Sequence, residues 1–182
     1  MATAEQKIYS GTHSDYFLKL GDIKGESMDA KHKQEINVLS WSFGARQPGA
    51  SAIGGPGAGV GKVQFHDFIL TKHVDAASPK LMLACASGQH FKDATMVCRK
   101  AGGTQVEYLT IKFNNVIVTS VETASSSGDL PSETQAGKEW LPIDKITLNY
   151  AKIDMIYVAQ DDKGSAGAST MAGWNLQTNE KS

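Results

Sequence analysis

The chain has 182 residues, 41% of them apolar, and a formal net charge of −1. So balanced a chain has no basic field to hold a nucleic-acid backbone or an anionic lipid surface, and no apolar stretch approaches the length of a membrane-spanning helix. The length suits one domain with a core, and Cys85 and Cys98, lacking Cys-x-x-Cys spacing and set in apolar segments, predict buried free thiols.

Residues 1–14 are polar and unpatterned and read as a flexible leader without a secretory signal, ahead of a single domain over residues 15–178. From Asp15 to Leu20, Phe17 and Lys19 alternate with Leu18 and Leu20, a short strand that Gly21-Asp22 and Gly25 interrupt. A charged run follows, in which Asp29, His32 and Glu35 at spacings of three suit a local cap or ion pair. Then Val38-Leu39-Ser40-Trp41-Ser42-Phe43 reads as a strand, with Leu39, Trp41 and Phe43 on the core face and Ser40 and Ser42 on a wet one. Two hydroxyls behind a tryptophan suggest a sheet whose back looks into solvent, a channel or a partner.

Residues 44–61 are dominated by Gly, Ala, Ser and Pro and predict a long surface loop. They fail as a phosphate cradle: Pro56 stands where a P-loop's first glycine belongs, and Val63 follows Lys62 in place of the magnesium-binding hydroxyl. A Gly-x-Gly-x-x-Gly reading from Gly57 and Gly59 ends on Lys62. Residues 62–70 alternate as a strand, Val63, Phe65 and Ile69 against Lys62, Gln64 and His66. Residues 75–88 take a helical period: Ser78 as N-cap, Pro79 in the first turn, a stripe of Leu81, Met82, Cys85 and Ala86, and Gly88 as the stop.

Strands then follow over 94–100, 106–113, 116–121, 146–150 and 153–159, with turns at Gly102-Gly103 and Asn114-Asn115 and a last edge over 172–176. A second long loop, 122–144, contains Trp140. Met82, Met96 and Met155 read as core filler, Trp41 as core, and Trp174 as an anchor for the last strand. Eight or more strands with one short helix predict a mainly β barrel or sandwich.

The residues offer no catalytic constellation. There is no Gly-x-Ser-x-Gly elbow and no His-Glu-x-x-His, and His13, His32, His66, His73 and His90 lack the spacing of a zinc site. His66-Asp67 and His73-Asp75 read as surface polar residues, since adjacent strand residues face opposite sides. No enzyme activity, metal or cofactor is expected.

Five blocks in order resemble the Hcp family, the haemolysin-coregulated proteins of type VI secretion systems. After the 25–43 stretch come Thr71-Lys72-His73-Val74-Asp75-Ala76-Ala77-Ser78-Pro79-Lys80-Leu81, Arg99-Lys100-Ala101-Gly102-Gly103, Glu107-Tyr108-Leu109, residues 116–121, and Gly173-Trp174. The resemblance implies an Hcp-like β-barrel with one short α-helix packed on it. Six copies would close into a ring, and rings would stack into a tube that a contracting sheath expels behind a spike protein, carrying small effector proteins in its lumen. It implies synthesis in the cytoplasm, secretion without a signal peptide, and a role in virulence and interbacterial competition. It assigns Ser42, Ser40 and Ser126 to the lumen and its cargo, and Gly54, Gly55, Pro56, Gly57 and Gly59 to a ring-stacking loop. Thr123-Ala124-Ser125-Ser126-Ser127-Gly128 replaces the family's glycine-rich segment, and residues 135–144 are extra length. The competing expectation is a monomeric β-sandwich, a ligand-binding module or hydrolase with its site in loops 44–61 and 122–138.

Overall fold

Alternating apolar and polar side chains build eleven strands and one helix in a computed structural model that describes residues 14–48, 62–100, 105–125, 142–160 and 166–182. In chain order these are β1 (Ser14–Leu20), β2 (Ile36–Val38), β3 (Ser40–Ser42), β4 (Ala45–Arg46), β5 (Gln64–Phe65), β6 (Phe68–His73), α1 (Ser78–Ser87), β7 (His90–Lys100), β8 (Glu107–Ala124), β9 (Ile143–Gln160), β10 (Ala166–Asn175) and β11 (Glu180–Lys181). Nine strands make one antiparallel sheet, ordered β11-β10-β9-β8-β7-β1-β2, with β6 on β9 and β3 on β6; β4 and β5 form a separate ribbon.

The sheet is organised by β8 and β9, each 18 residues long. The Asn114-Asn115 turn is absent. Asn115 takes a φ of 50° inside β8, a conformation asparagine tolerates, and the ladder to β9 resumes at Val116. Residues 146–150 and 153–159 are likewise one strand. This length lets one edge of β9 serve two partners, β6 along Ile143–Leu148 and β10 from Lys152 onward. On the other side β7 reaches only to the His90–Ile117 pair, and α1 packs against β8.

The expected barrel is not a closed ladder: among the described residues no path of paired strands returns to its start. The chain changes partners at Leu39, a bend between β2, which pairs with β1, and β3, which pairs with β6; the Leu39 amide donates to the Thr71 carbonyl at 2.8 Å. The bend also shifts the phase. Ile36 and Val38 face inward before it, Trp41 and Phe43 pack on the core after it, and Leu39 is only half-buried, so it does not share a strand face with Trp41.

Other boundaries move for similar reasons. Ser14, placed in the leader, opens β1 opposite Lys100, and residues 1–13 lie outside the described residues. Residues 62–70 are two strands, separated where the His66 amide turns to bond the Gly44 carbonyl. The phase therefore changes, and Ile69 falls opposite the buried Phe68 and Leu70 instead of continuing the Phe65 face. Ala45–Arg46, expected in the loop, pairs with Gln64–Phe65. The last strand starts earlier than 172, at Ala166. The Gly102-Gly103 turn lies outside the described residues, although β7 and β8 flank it as an antiparallel pair.

Helix α1 ends on Gly88 in the left-handed region, as its sequence requires, but its N-cap is Ala77, with no side-chain cap. Its inward residues are Ala77, Leu81 and Ala84, spaced by four and three; Met82 and Leu83 point out, about 60% exposed, so Met82 is not core. Met96 is fully buried and Met155 packs on the core's rim. The core's centre is an aromatic chain: Trp41 stacks on Phe68 at 5.8 Å, Phe68 meets Phe113 at 4.9 Å, and Phe113 meets Tyr150 at 4.9 Å. Burial, with a smaller contribution from the Asp67 carboxylate, pushes the Tyr150 hydroxyl up to about 12, and it donates to the His66 carbonyl. Both cysteines are free, and burial raises the Cys98 thiol to about 11.

Candidate cargo-contact face

Register fixes which side chains share the polar face behind Trp41. Ser40 pairs with Thr71, Thr71 with Lys145, and Lys145 with Glu122; one step along, Ser42 pairs with Ile69, Ile69 with Thr147, and Thr147 with Ser120. Two rows thus cross β3, β6, β9 and β8, because paired residues in an antiparallel sheet project to the same side. Trp41, Leu70 and Ile146 lie between the rows and point to the core, as the alternation of a strand demands.

The face is wet and largely uncharged. Ser40 and Ser42 are exposed, the Ser40 and Thr71 hydroxyls bond each other at 2.7 Å, and the Asn149 amide donates to Asp67 at 2.8 Å. Its one ion pair, Lys145 with Glu122 at 3.7 Å, is loose and part-exposed. Such a surface offers hydroxyl donors and acceptors for hydrogen bonds to a protein partner. Ser126, expected on the same face, lies outside the described residues, as do Gly54, Gly55, Pro56, Gly57, Gly59 and Trp140. No local pattern marks Glu122, Lys145, Thr71 and Thr147 as members of this face, since only cross-strand register brings them beside Ser40 and Ser42, and Glu122, expected in a loop, lies in β8.

A second polar feature lies inside the protein, and Lys72, His73, Asp75 and Ser78, from the block of residues 71–81, meet Asp144 and Thr123 there. Lys72 is fully buried; its ammonium donates to the His73 carbonyl (2.7 Å), the Ser78 hydroxyl (2.9 Å) and Asp144 (3.1 Å) and pairs with Asp75 (2.7 Å). Asp144, also fully buried, accepts from Ser78, from Thr123 at 2.6 Å and from Lys72. Burial alone would raise its pKa, but these three donors and the lysine charge together hold it below the usual carboxylate range. Ser78 is therefore no cap: it joins the first turn of α1 to β6 and β9. The sequence signal was a lysine ending the apolar run Phe68-Ile69-Leu70, with Asp75 three residues on.

On the opposite side of β1, the charged run folds back over the sheet. Asp29 accepts from the amides of Lys31 and His32, and the His32 Nδ1 lies 2.9 Å from the Glu35 carboxylate, the local cap and side-chain contact that their spacing favours. Tertiary structure adds Arg99, buried on β7, which bonds Asp29 (2.7 Å) and Asp15 (2.9 Å) and lies 4.9 Å over the Phe17 ring, itself stacked on His32. The hydrogen bond from Arg99 leads the causes that hold the Asp29 carboxyl far below its ordinary range. Asp75 is committed to Lys72 and His73 is exposed, so no His-Asp ligand pair forms there.

The family model for the type VI secretion system effector Hcp matches residues 17–157, a span that takes in both rows of the polar face, the Lys72 network, and Arg99 with Asp29. The chain belongs to the Hcp family. It is 42% identical to the Hcp1 protein of Pseudomonas aeruginosa over 167 residues, 91% of this chain and 96% of that one. Among solved structures, a type six secretion system protein shares its fold with a TM-score of 0.82 at 31% identity, covering 93% of this chain and 100% of the other. Hcp1 from Salmonella typhimurium matches with a TM-score of 0.71 at 31% identity, over 93% of this chain and 99% of that one. A type VI secretion effector from Yersinia pestis matches with a TM-score of 0.67 at 34% identity, over 88% and 99%. Hcp membership makes this a structural protein of type VI secretion, not an enzyme.

Proposed function

We propose that the chain is the subunit of a type VI secretion tube: six copies close into a ring, rings stack, and the contracting sheath expels the tube behind its spike with small effector proteins inside. The family match across residues 17–157 carries this reading. The hydroxyl-rich face of β3, β6, β9 and β8 supports its lumen side, and Ser42, Ser40 and Ser126 are the residues assigned to cargo. In this reading residues 15–178 act as one domain, a barrel joined through the Leu39 bend, and Gly54, Gly55, Pro56, Gly57 and Gly59 serve ring-to-ring contact. The protein is made in the cytoplasm and leaves through the secretion system. It takes no cofactor and needs neither nucleic acid nor membrane insertion.

Light scattering after size exclusion tests the ring: a species at six times the 19.5 kDa chain mass is expected, and a monomer at every concentration would overturn it. Ser42→Gln tests the lumen. The ring should persist while retention of an effector co-expressed from the same secretion locus falls, and undiminished retention would remove Ser42 from the cargo face.

A further inference from the structure

The nine-stranded sheet pairs most of its strands on both sides. The β2–β3 segment lies between β1 and β6, β6 lies between β3 and β9, and α1 packs on β8. Among the described residues, stretches without a strand partner remain on the outer side of β3, along β8 beyond Ile117, where Glu122 places a charge, and along the outer edge of β10. Beyond Trp174 and Asn175, which pair with β11, the residues from Ala166 to Ala172 have no strand partner on that side among the described residues.

All seven are exposed, and the sequence Ala166-Gly167-Ala168-Ser169-Thr170-Met171-Ala172 carries no charge and no proline. Those are the devices that keep a strand edge from pairing with another chain; here only the irregular register between Ala166 and Ser169 interrupts it. From Ser169 to Ala172 the register with β9 is regular, so the backbone presents an orderly row of donors and acceptors. One large apolar side chain is exposed on each face here, Met171 at 60% on one and Tyr157 of β9, paired with Thr170, at 50% on the other. An edge with unpaired backbone groups, no electrostatic deterrent and adjacent apolar area fits an extended segment of another polypeptide.

We infer that the Ser169–Ala172 edge of β10 is a subunit contact, occupied by a second copy of this chain that adds its own backbone to the sheet and packs on Met171 and Tyr157. The inference rests on the tube reading, which supplies the second copy: a protein made to assemble with itself has reason to leave an edge free of charge and proline. A ring contact is heterologous, so the same edge in every copy can be filled without leaving one over.

The test uses the full chain and three variants, Met171→Lys, Thr170→Lys and, on the outward face of α1, Met82→Lys. Each is followed by light scattering across a dilution series, with circular dichroism to confirm the fold. The two β10 variants should raise the concentration at which the assembly dissociates at least about tenfold, the scale of losing a central interface contact, with folded monomers remaining; Met82→Lys should leave it unchanged. Wild-type rings together with unaltered rings in both β10 variants would overturn the edge contact and leave the tube reading standing. A wild-type protein that stays monomeric would overturn both.

Discussion

Asp144→Ala should expose how firmly α1 is tied to the sheet. The carboxylate is fully buried and accepts from Ser78, Thr123 and Lys72. Removing one member of a buried ion pair destabilises by ~3–5 kcal/mol, because the other charge is left in a poor solvent. Here the Lys72 ammonium keeps Asp75 at 2.7 Å and the His73 carbonyl at 2.7 Å, and Thr123 is near enough to the surface to turn its hydroxyl to water. The loss should therefore sit at the low end of that range, about 3 kcal/mol. Urea unfolding at one fixed protomer concentration, since assembly also contributes by mass action, would measure it as a lower midpoint with an unchanged slope. Lys72→Met should cost a similar amount alone. The double variant Lys72→Met/Asp144→Leu should lose clearly less than the sum, because neither charge is then stranded. A loss below about 1 kcal/mol for Asp144→Ala, or strict additivity in the double variant, would refute the argument.

Two further outcomes follow from the same interactions. Asp144 and Asp29 both have folded-state pKa values below their unfolded ones, so between the two values the unfolded chain binds more protons and stability rises with pH. Their contribution is present above the ordinary aspartate range, about pH 4, and is lost as pH falls through the lowered values; acid titration of unfolding should show this limb, flatter in Asp144→Ala. Gly25→Ala should destabilise by ~1–3 kcal/mol in the same urea assay, because a Cβ there would sit 2.6 Å from the Glu35 carbonyl oxygen and 2.7 Å from the Ile36 Cα, backbone atoms that cannot step aside. A neutral Gly25→Ala would mean that the charged run is free to lift from β1.

What was legible in the sequence was what short-range chemistry dictates. Period-two patterning located β1 and β3, a strand over 94–100 caught the second part of β7, which begins at His90, the glycine at 88 fixed the end of α1, and spacing foretold the cap of Asp29 and the His32–Glu35 pair. Family blocks were readable because they contain charges whose partners are few: the Lys72 ammonium is buried only with acceptors such as Asp75, Ser78 and Asp144, and Arg99 only with carboxylates such as Asp29 and Asp15. Asp144 lies 72 residues from Lys72 and 66 from Ser78, and Asp29 and Asp15 lie 70 and 84 from Arg99, so the blocks could be seen while these bonds could not.

Tertiary structure alone decided the rest. Asn115 looks like a turn residue, yet pairing of β8 with β9 on both sides of it keeps the strand whole, as ladder hydrogen bonds outweigh a local preference. Leu39 has the right parity to join Trp41, but the exchange of β1 for β6 as partner puts a bend there and reverses the phase. Met82 has the hydrophobicity of a core residue and the wrong angle on the helix; Leu81 and Ala84 fill the contact with the sheet instead. Composition made Ser40 and Ser42 wet, and the register of four strands, which no local pattern encodes, set Thr71, Lys145, Glu122 and Thr147 beside them.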